Sequence, residues 1–224
     1  MIHQNFKKNR YLKIEKALSP EMCDFSYKYL LFKRQVADTL FKHKYISPYE
    51  QMWGVWSDPQ IPNTYTSYSD LVMDTLLVKM LPLMEAATKS KLVPTYSYTR
   101  LYKRGDELKR HKDRFSCEVS TTLTLGGDHW PIYLSPKENV GKPNGKNITT
   151  ASKAKGIKID LKPGDMLVYK GCDLEHWREP FEGDHCGQVF LHYNKKSQTN
   201  KDNMFDGRPH LGLPNWFKGK KLVE

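Results

Sequence analysis

YKRGDELKRHKD, residues 102–113, follows a segment in which Tyr96, Tyr98, Arg100 and Tyr102 alternate with Ser97, Thr99 and Leu101. A period of two reads as a β-strand, here one that leads into Gly105. Beyond the glycine the stretch sets His111 and Asp113 two residues apart at the start of a second extended segment. On an extended chain, residues i and i+2 face the same side, so the imidazole and the carboxylate converge on one point. They are two ligands of a candidate metal site. Several later histidines are able to supply a third, and the best placed is His176, in GCDLEHWREPF, just past another predicted strand. Two imidazoles and one carboxylate on one face of a metal leave the opposite positions open.

Downstream, further short strands are predicted over Glu118–Leu125, His129–Leu134, Ile157–Leu161, Met166–Lys170 and Gln188–Tyr193, with turns at Gly126–Gly127 and at Pro163–Asp165. The polar run from Ser135 to Gly156 reads as a surface loop or a broad hairpin end. Upstream, Tyr11–Ala17 reads as a short strand. Ser19 is placed to cap a helix with Pro20 at its first position, and Met22, Phe25, Tyr29, Phe32, Val36 and Leu40 predict its apolar face as far as Phe41. Residues 46–68 have no stable period. Their cluster of Tyr49, Trp53, Trp56, Tyr65 and Tyr68 fits a lid or substrate wall, and equally a packed cover over the helices. A second helix is predicted over Ser69–Lys89, capped by Ser69 or Asp70. Val72, Leu76, Met80, Leu83 and Ala87 form its buried face, and Pro82 predicts a kink. Helices first and many short strands afterwards give a mainly β, α+β architecture, a jelly roll buttressed by helices. Residues 1–93 then form a helical support within one domain, residues 94–194 the jelly-roll core, and residues 195–224 a tail without assignment.

Tyr102 stands three residues before Gly105 and Gly105 six before His111. Asp113, the PGD turn at Pro163–Asp165 and the run HWREP from His176 to Pro180 follow in order. This ordered set resembles the prolyl 4-hydroxylase-like branch of the 2-oxoglutarate- and Fe(II)-dependent oxygenases over residues 94–194. The resemblance implies a double-stranded β-helix in which His111, Asp113 and His176 hold Fe(II), with 2-oxoglutarate and O2 as co-substrates. It implies hydroxylation of a C–H bond with release of succinate and CO2, on a protein or peptide side chain, proline first. It also implies a basic residue nine or ten positions after the distal histidine, to hold the far carboxylate of 2-oxoglutarate. Those positions are His185 and Cys186. Cys186 is no cation, whereas His185 serves if protonated or as a neutral donor. Arg178, two residues after His176 and so on the same strand face, is able to pair bidentately and is favoured over His185. Tyr102 would donate its phenolic hydrogen to the same carboxylate.

Each of these residues also has a plain structural reading. His111 then lies at the surface, Arg178 forms an exposed ion pair with Glu175 or Glu179, Tyr102 packs in the core, and Trp177 packs on the outward side of its strand, opposite an inward ligand. The chain has 224 residues, with 36 Lys and Arg against 25 Asp and Glu, for a net charge of +11. That excess suits an acidic partner, nucleic acid included, although the lysines are dispersed as on a solvated surface rather than gathered in a stripe. Hydrophobic residues make up 38%, the mean hydropathy is −0.69, and there is neither a membrane-length apolar run nor an apolar leader, so a cytoplasmic setting is expected. Cys23, Cys117, Cys172 and Cys186 lack C-x-x-C spacing and read as free thiols. Two other classes compete with the enzyme. One is a basic nucleic-acid-binding module with zinc on Cys172, His176, His185 and Cys186, whose spacing lacks the usual tight pair. The other is a cupin-like binding protein without catalysis.

Overall fold

The computed structural model of the protein describes residues 6–136, 148–149, 153–199 and 203–220. After a single helical turn, α1 (Phe6–Asn9), and a short strand, β1 (Tyr11–Ile14), the long helix α2 runs from Pro20 to Lys42. The Ser19 side chain accepts from the Met22 amide, and Pro20 fills a first-turn position that has no helical bond to lose. The face α2 buries is not the one its largest apolar residues predict. Cys23, Ser26, Leu30 and Ala37 are buried, whereas Phe25, Phe32 and Val36 are 56%, 67% and 42% exposed. The cause lies in the sheet beneath. Tyr27 presses on Gly126 and Gly187, where an added Cβ would come within 2.7 and 2.6 Å of its ring. The helix therefore sits close on the sheet through its small residues and turns its phenylalanines outward.

The stretch 46–68, expected to be irregular, is mainly so as far as residue 64, but its last four residues form a strand, β2 (Tyr65–Tyr68), paired with the strand at Leu92–Lys103. Trp56 packs between Phe41 and Tyr65, while Tyr49 is 84% exposed. The second long helix, α3 (Leu71–Thr88), is capped by Asp70, whose carboxylate accepts from the amides of Val72 and Met73. Leu76, Met80 and Ala87 are buried as predicted, together with Met73, Leu77 and Met84. Val72 and Leu83 are only half-buried. Pro82 lies inside the helix.

The remaining strands are β3 (Leu92–Lys103), β4 (Leu108–Lys112), β5 (Val119–Gly127), β6 (Ile132–Leu134), β7 (Ile148–Thr149), β8 (Ile157–Ile159), β9 (Met166–Tyr169), β10 (His176–Arg178) and β11 (His185–Lys195). They form two antiparallel sheets, one of six strands ordered β1-β9-β5-β11-β3-β2 and one of five ordered β7-β4-β10-β6-β8. Most of the predicted polar loop 135–156 lies outside the described residues, but Ile148–Thr149 pairs with His111 and Lys112.

The six-stranded sheet is covered on both faces, so its strands are buried almost throughout. Met166, Val168, Val189, Leu191 and Tyr193 join the helices in one core. The alternate residues Leu167 and Tyr169 turn inward to meet Ile132, Leu134, Leu161 and Leu174. A further cluster includes Tyr102, Leu108, Trp130, Phe181, Cys186 and Phe190. The architecture is the predicted jelly roll with helices on one side, and β1 and β2 show that the N-terminal region contributes strands as well. Residues 203–220, left unassigned from sequence, fold back onto β3 through a short turn at Met204–Gly207. Among the described residues, no helix is long and apolar enough to cross a membrane.

Candidate active site

The site is built where the inner strand of one sheet meets the end of another. In the five-stranded sheet, β4 and β10 are paired with His111 directly opposite His176, and their ring centroids are 4.2 Å apart. Asp113 follows the last residue of β4. Its amide donates to the Gly171 carbonyl at 2.8 Å, which turns the carboxylate back toward the two rings. Asp113 Oδ1 lies 3.6 Å from His111 Nε2 and 3.5 Å from His176 Nε2. One atom from each of the three side chains falls within 4.8 Å of the other two. Ligands at about 2.1 Å from a metal and at right angles to one another stand about 3 Å apart, so these side chains need close only slightly to share an ion.

Both imidazoles are held for that role. His111 Nδ1 is 2.8 Å from the Lys109 carbonyl and His176 Nδ1 is 3.0 Å from the Leu174 carbonyl. A carbonyl accepts only, so each ring carries its proton on Nδ1 and turns the Nε2 lone pair inward. Burial, and then the repulsion that a proton gained by His176 would exert, push the His111 pKa down to about 3, which keeps the ring neutral. Burial opposes the charge on Asp113, but His176 foremost, then His111 and His192, hold its carboxyl well below the usual range. Two imidazoles that present Nε2 and one carboxylate suit a divalent ion with open positions, and the residues present fit ferrous iron.

A cavity of about 250 Å³ opens beside the three side chains. Tyr169, Ile132, Leu108 and Phe190 form part of its wall, together with Asp58 and Gln60 from the irregular loop, Tyr68, Tyr98 and Arg100. Asn215 and Lys218 reach it from the C-terminal segment. The loop 46–68 thus lines the site, as one of its two predicted readings has it, through Asp58, Gln60 and Tyr68 rather than its tryptophans.

Arg178 is 1% exposed and points inward from β10, so it is not the surface ion pair of the plain reading. Its Nη1 donates to the Trp130 carbonyl and its Nη2 to Thr122 Oγ1 at 3.2 Å. Tyr102 is fully buried, with its ring edge-on to Trp130. Among the described residues, Arg178 Nε and Arg100 Nε are buried without a hydrogen-bond partner, and the Tyr102 hydroxyl, beside the Arg100 guanidinium that can only donate to it, has no acceptor for its own proton. Burial raises the Tyr102 pKa, and the charges of Arg100 and Arg178 pull against that rise. Orphaned buried donors of this kind call for an acceptor that the chain does not supply. His185 is exposed at the start of β11, while Cys186 faces inward and is felt by Arg178. Among the described residues, the zinc set of Cys172, His176, His185 and Cys186 is not brought together. The four cysteines are free, as expected. Trp177 packs as predicted, stacked on Tyr133 with the Arg110 guanidinium over its ring.

Neither a family model nor a curated relative matches the chain at the level of sequence. Solved structures do match it in three dimensions. A prolyl-4-hydroxylase from Pseudomonas putida superposes with a TM-score of 0.52 at 15% identity, over 86% of this chain and 96% of that one. The non-heme α-ketoglutarate-dependent epimerase SnoN from nogalamycin biosynthesis gives 0.59 at 12% identity, over 98% and 93%. The fold is that of the 2-oxoglutarate oxygenases. HygX from Streptomyces hygroscopicus, solved with nickel and 2-oxoglutarate bound, gives 0.55 at 15% identity over 84% of each chain.

The sequence did not single out Arg100, Asp58, Ser120 or Lys218, and it offered His192 only as one of the later histidines able to compete with His176 for the third ligand position. Arg100 carried a usable signal, because it lies in phase with Tyr98 and Tyr102 and so has to face inward with them. Asp58, Ser120 and Lys218 come from strands or segments distant in sequence and had none.

Proposed function

We propose that this protein is a 2-oxoglutarate- and Fe(II)-dependent oxygenase that hydroxylates a C–H bond of a protein side chain such as proline. The observation that carries the reading is the convergence of His111, Asp113 and His176, with both Nδ1 atoms occupied by backbone carbonyls. These three side chains would hold Fe(II). When bound, the ion together with 2-oxoglutarate and O2 supplies the oxidising chemistry and releases succinate and CO2. The protein's part is to bind, to orient and to exclude water.

The far carboxylate of 2-oxoglutarate is assigned to Tyr102 and Arg178. Two donors there, the tyrosine hydroxyl and Arg178 Nε, lack acceptors in a buried setting. Arg178 also sits beside Cys186, where the resemblance would place a cation, so the facing sheet supplies the charge that β11 lacks. His185, exposed at the start of β11, is set aside. The substrate enters past Tyr68, Asp58, Gln60, Asn215 and Lys218. A cavity of about 250 Å³ is below the range common for whole drug-sized ligands and suits a single side chain presented from outside. The fold itself does not choose the substrate.

The test is an anaerobic titration with Fe(II) and 2-oxoglutarate. A visible metal-to-ligand charge-transfer band is expected for the wild type and not for His111→Ala or Asp113→Ala. A wild type without the band, or variants that keep it, would overturn the assignment.

A further inference from the structure

Behind the metal ligands lies a second cluster, formed by Asp113, Cys117 and His192, whose ligand-capable atoms also fall within 4.8 Å of one another. It is a poor metal site. Burial raises the Cys117 thiol well above its ordinary pKa, which disfavours the thiolate a metal requires, and that thiol is already 3.1 Å from the Tyr96 hydroxyl. The other two members are joined through Ser120, which is fully buried on β5. Its Oγ lies 2.7 Å from Asp113 Oδ2, 3.1 Å from His192 Nδ1 and 3.1 Å from the Cys117 carbonyl. Gly171 closes the cradle, since a Cβ there would come within 2.2 Å of Asp113 Oδ2 and 2.4 Å of Ser120 Oγ.

We propose that Ser120 and His192 are positioning residues that lock Asp113 as a one-oxygen metal ligand. The inference rests on the metal site described above and assigns a role to residues that do not touch the ion. The two oxygens of Asp113 are divided in their contacts. Oδ1 faces both imidazoles and Oδ2 faces Ser120. A serine hydroxyl has one proton to give, and three acceptors compete for it if His192 Nδ1 is unprotonated. With the proton on His192 Nδ1, the ring donates to Ser120 Oγ and leaves the serine proton to Asp113. The carboxylate then wins it over the Cys117 carbonyl as the charged and closer acceptor. The His192 ring is itself fixed, 4.5 Å from the Tyr96 ring. Held through Oδ2, the carboxylate is unable to swing and offer both oxygens to the ion, so the positions a co-substrate needs stay open.

The test is Co(II) binding to the metal-free protein, followed by its visible absorption and without any turnover. Ser120→Ala is expected to weaken Co(II) about 10- to 100-fold and to change the spectrum, the usual consequence of losing an outer partner of a ligand. Ser120→Thr, which keeps the hydroxyl, is expected to restore both. His192→Phe keeps a ring against Tyr96 and is expected to weaken Co(II) less. In the Ser120→Ala background it is expected to add nothing, because His192 acts only through the serine. Thermal unfolding of the metal-free forms separates a fold defect from a ligand defect. If the wild type binds no Co(II), this inference and the metal site fail together. If it binds and Ser120→Ala binds equally tightly with an unchanged spectrum, the positioning role alone is overturned. It is overturned as well if His192→Phe weakens Co(II) further in the absence of the serine hydroxyl.

Discussion

In the proposed assignment, Arg178 supplies from β10 the charge that the resemblance would place at Cys186 on β11. Side chains at the start of β11 and at the end of β10 point into the same interior, so under the proposed assignment a cation from either would reach the same co-substrate carboxylate. Arg178 is held by the Trp130 carbonyl and Thr122, with Nε left over. Its guanidinium is thereby fixed before a ligand arrives, and little conformational freedom is lost on binding. Arg178→Gln is expected to weaken 2-oxoglutarate by about 30-fold, corresponding to about 2 kcal/mol for one side of a buried charge pair. His185→Gln is expected to leave it unchanged. Titration of 2-oxoglutarate against the Fe(II)-loaded protein reads both, and the opposite ranking would move the anchor to His185. Spacing within a strand was enough to put His111 with Asp113, and His176 with Arg178, on shared faces, because i and i+2 point the same way. It could not find Ser120 or His192, whose strands β5 and β11 come together with the site only through long-range pairing.

At the scale of elements, helix ends were legible and helix faces less so. Ser19, Pro20 and Asp70 act through their own backbone neighbours, and that chemistry is local. Which face of α2 is buried depends on Gly126 and Gly187 of the sheet beneath it, which the helix sequence does not contain. Asp70 does more than cap α3. Its Oδ1 accepts from Val72 and Met73 and its Oδ2 from Tyr29 and Lys33, which ties α2 to α3 through a buried ion pair. Asp70→Ala strands the Lys33 ammonium as well as two helix amides, so a loss of about 3–5 kcal/mol is expected. Ser19→Ala, which removes one exposed cap, is expected to cost about 1 kcal/mol. Phe32→Ser, on the outward face, is expected to stay within about 0.5 kcal/mol. Denaturant melts of the three variants rank them. A Phe32→Ser loss as large as that of Asp70→Ala would mean that the phenylalanine face is buried after all.

Across the whole molecule, the C-terminal segment completes the site. Lys218 and Asn215 line the cavity, and Asp206 fastens their segment to the body together with Arg208, which donates to Ser69 and the Thr95 carbonyl, and the Gly212 amide, which donates to Asp74. The Asp206 carboxylate is bonded to both terminal nitrogens of Arg114 at 2.6 Å. It also accepts from Ser116, from Tyr68 at 2.6 Å on β2, and from Lys218 at 2.7 Å. Arg114 is the residue next to Asp113, so one carboxylate joins the turn after β4, the edge strand β2 of the six-stranded sheet and the C-terminal segment. Burial alone would raise the Asp206 pKa, but the hydrogen bonds and charge of Arg114, with those of Lys218 and Ser116, hold it far below its ordinary value. A folded-state pKa below the unfolded one gives stability that is fully present above the unfolded value of about 3.9 and drains away as pH falls toward the folded value. At pH 7, Asp206→Asn is expected to cost on the order of 2–3 kcal/mol, less than a fully dry pair because Arg114 and Lys218 remain partly exposed. Below about pH 4 the wild type gives up part of this advantage and the variant has none to lose, so the two stability curves converge. Chemical denaturation of both proteins from pH 7 to pH 3 measures the gap. A gap that stays constant over that range would mean that Asp206 holds the segment by shape rather than by charge.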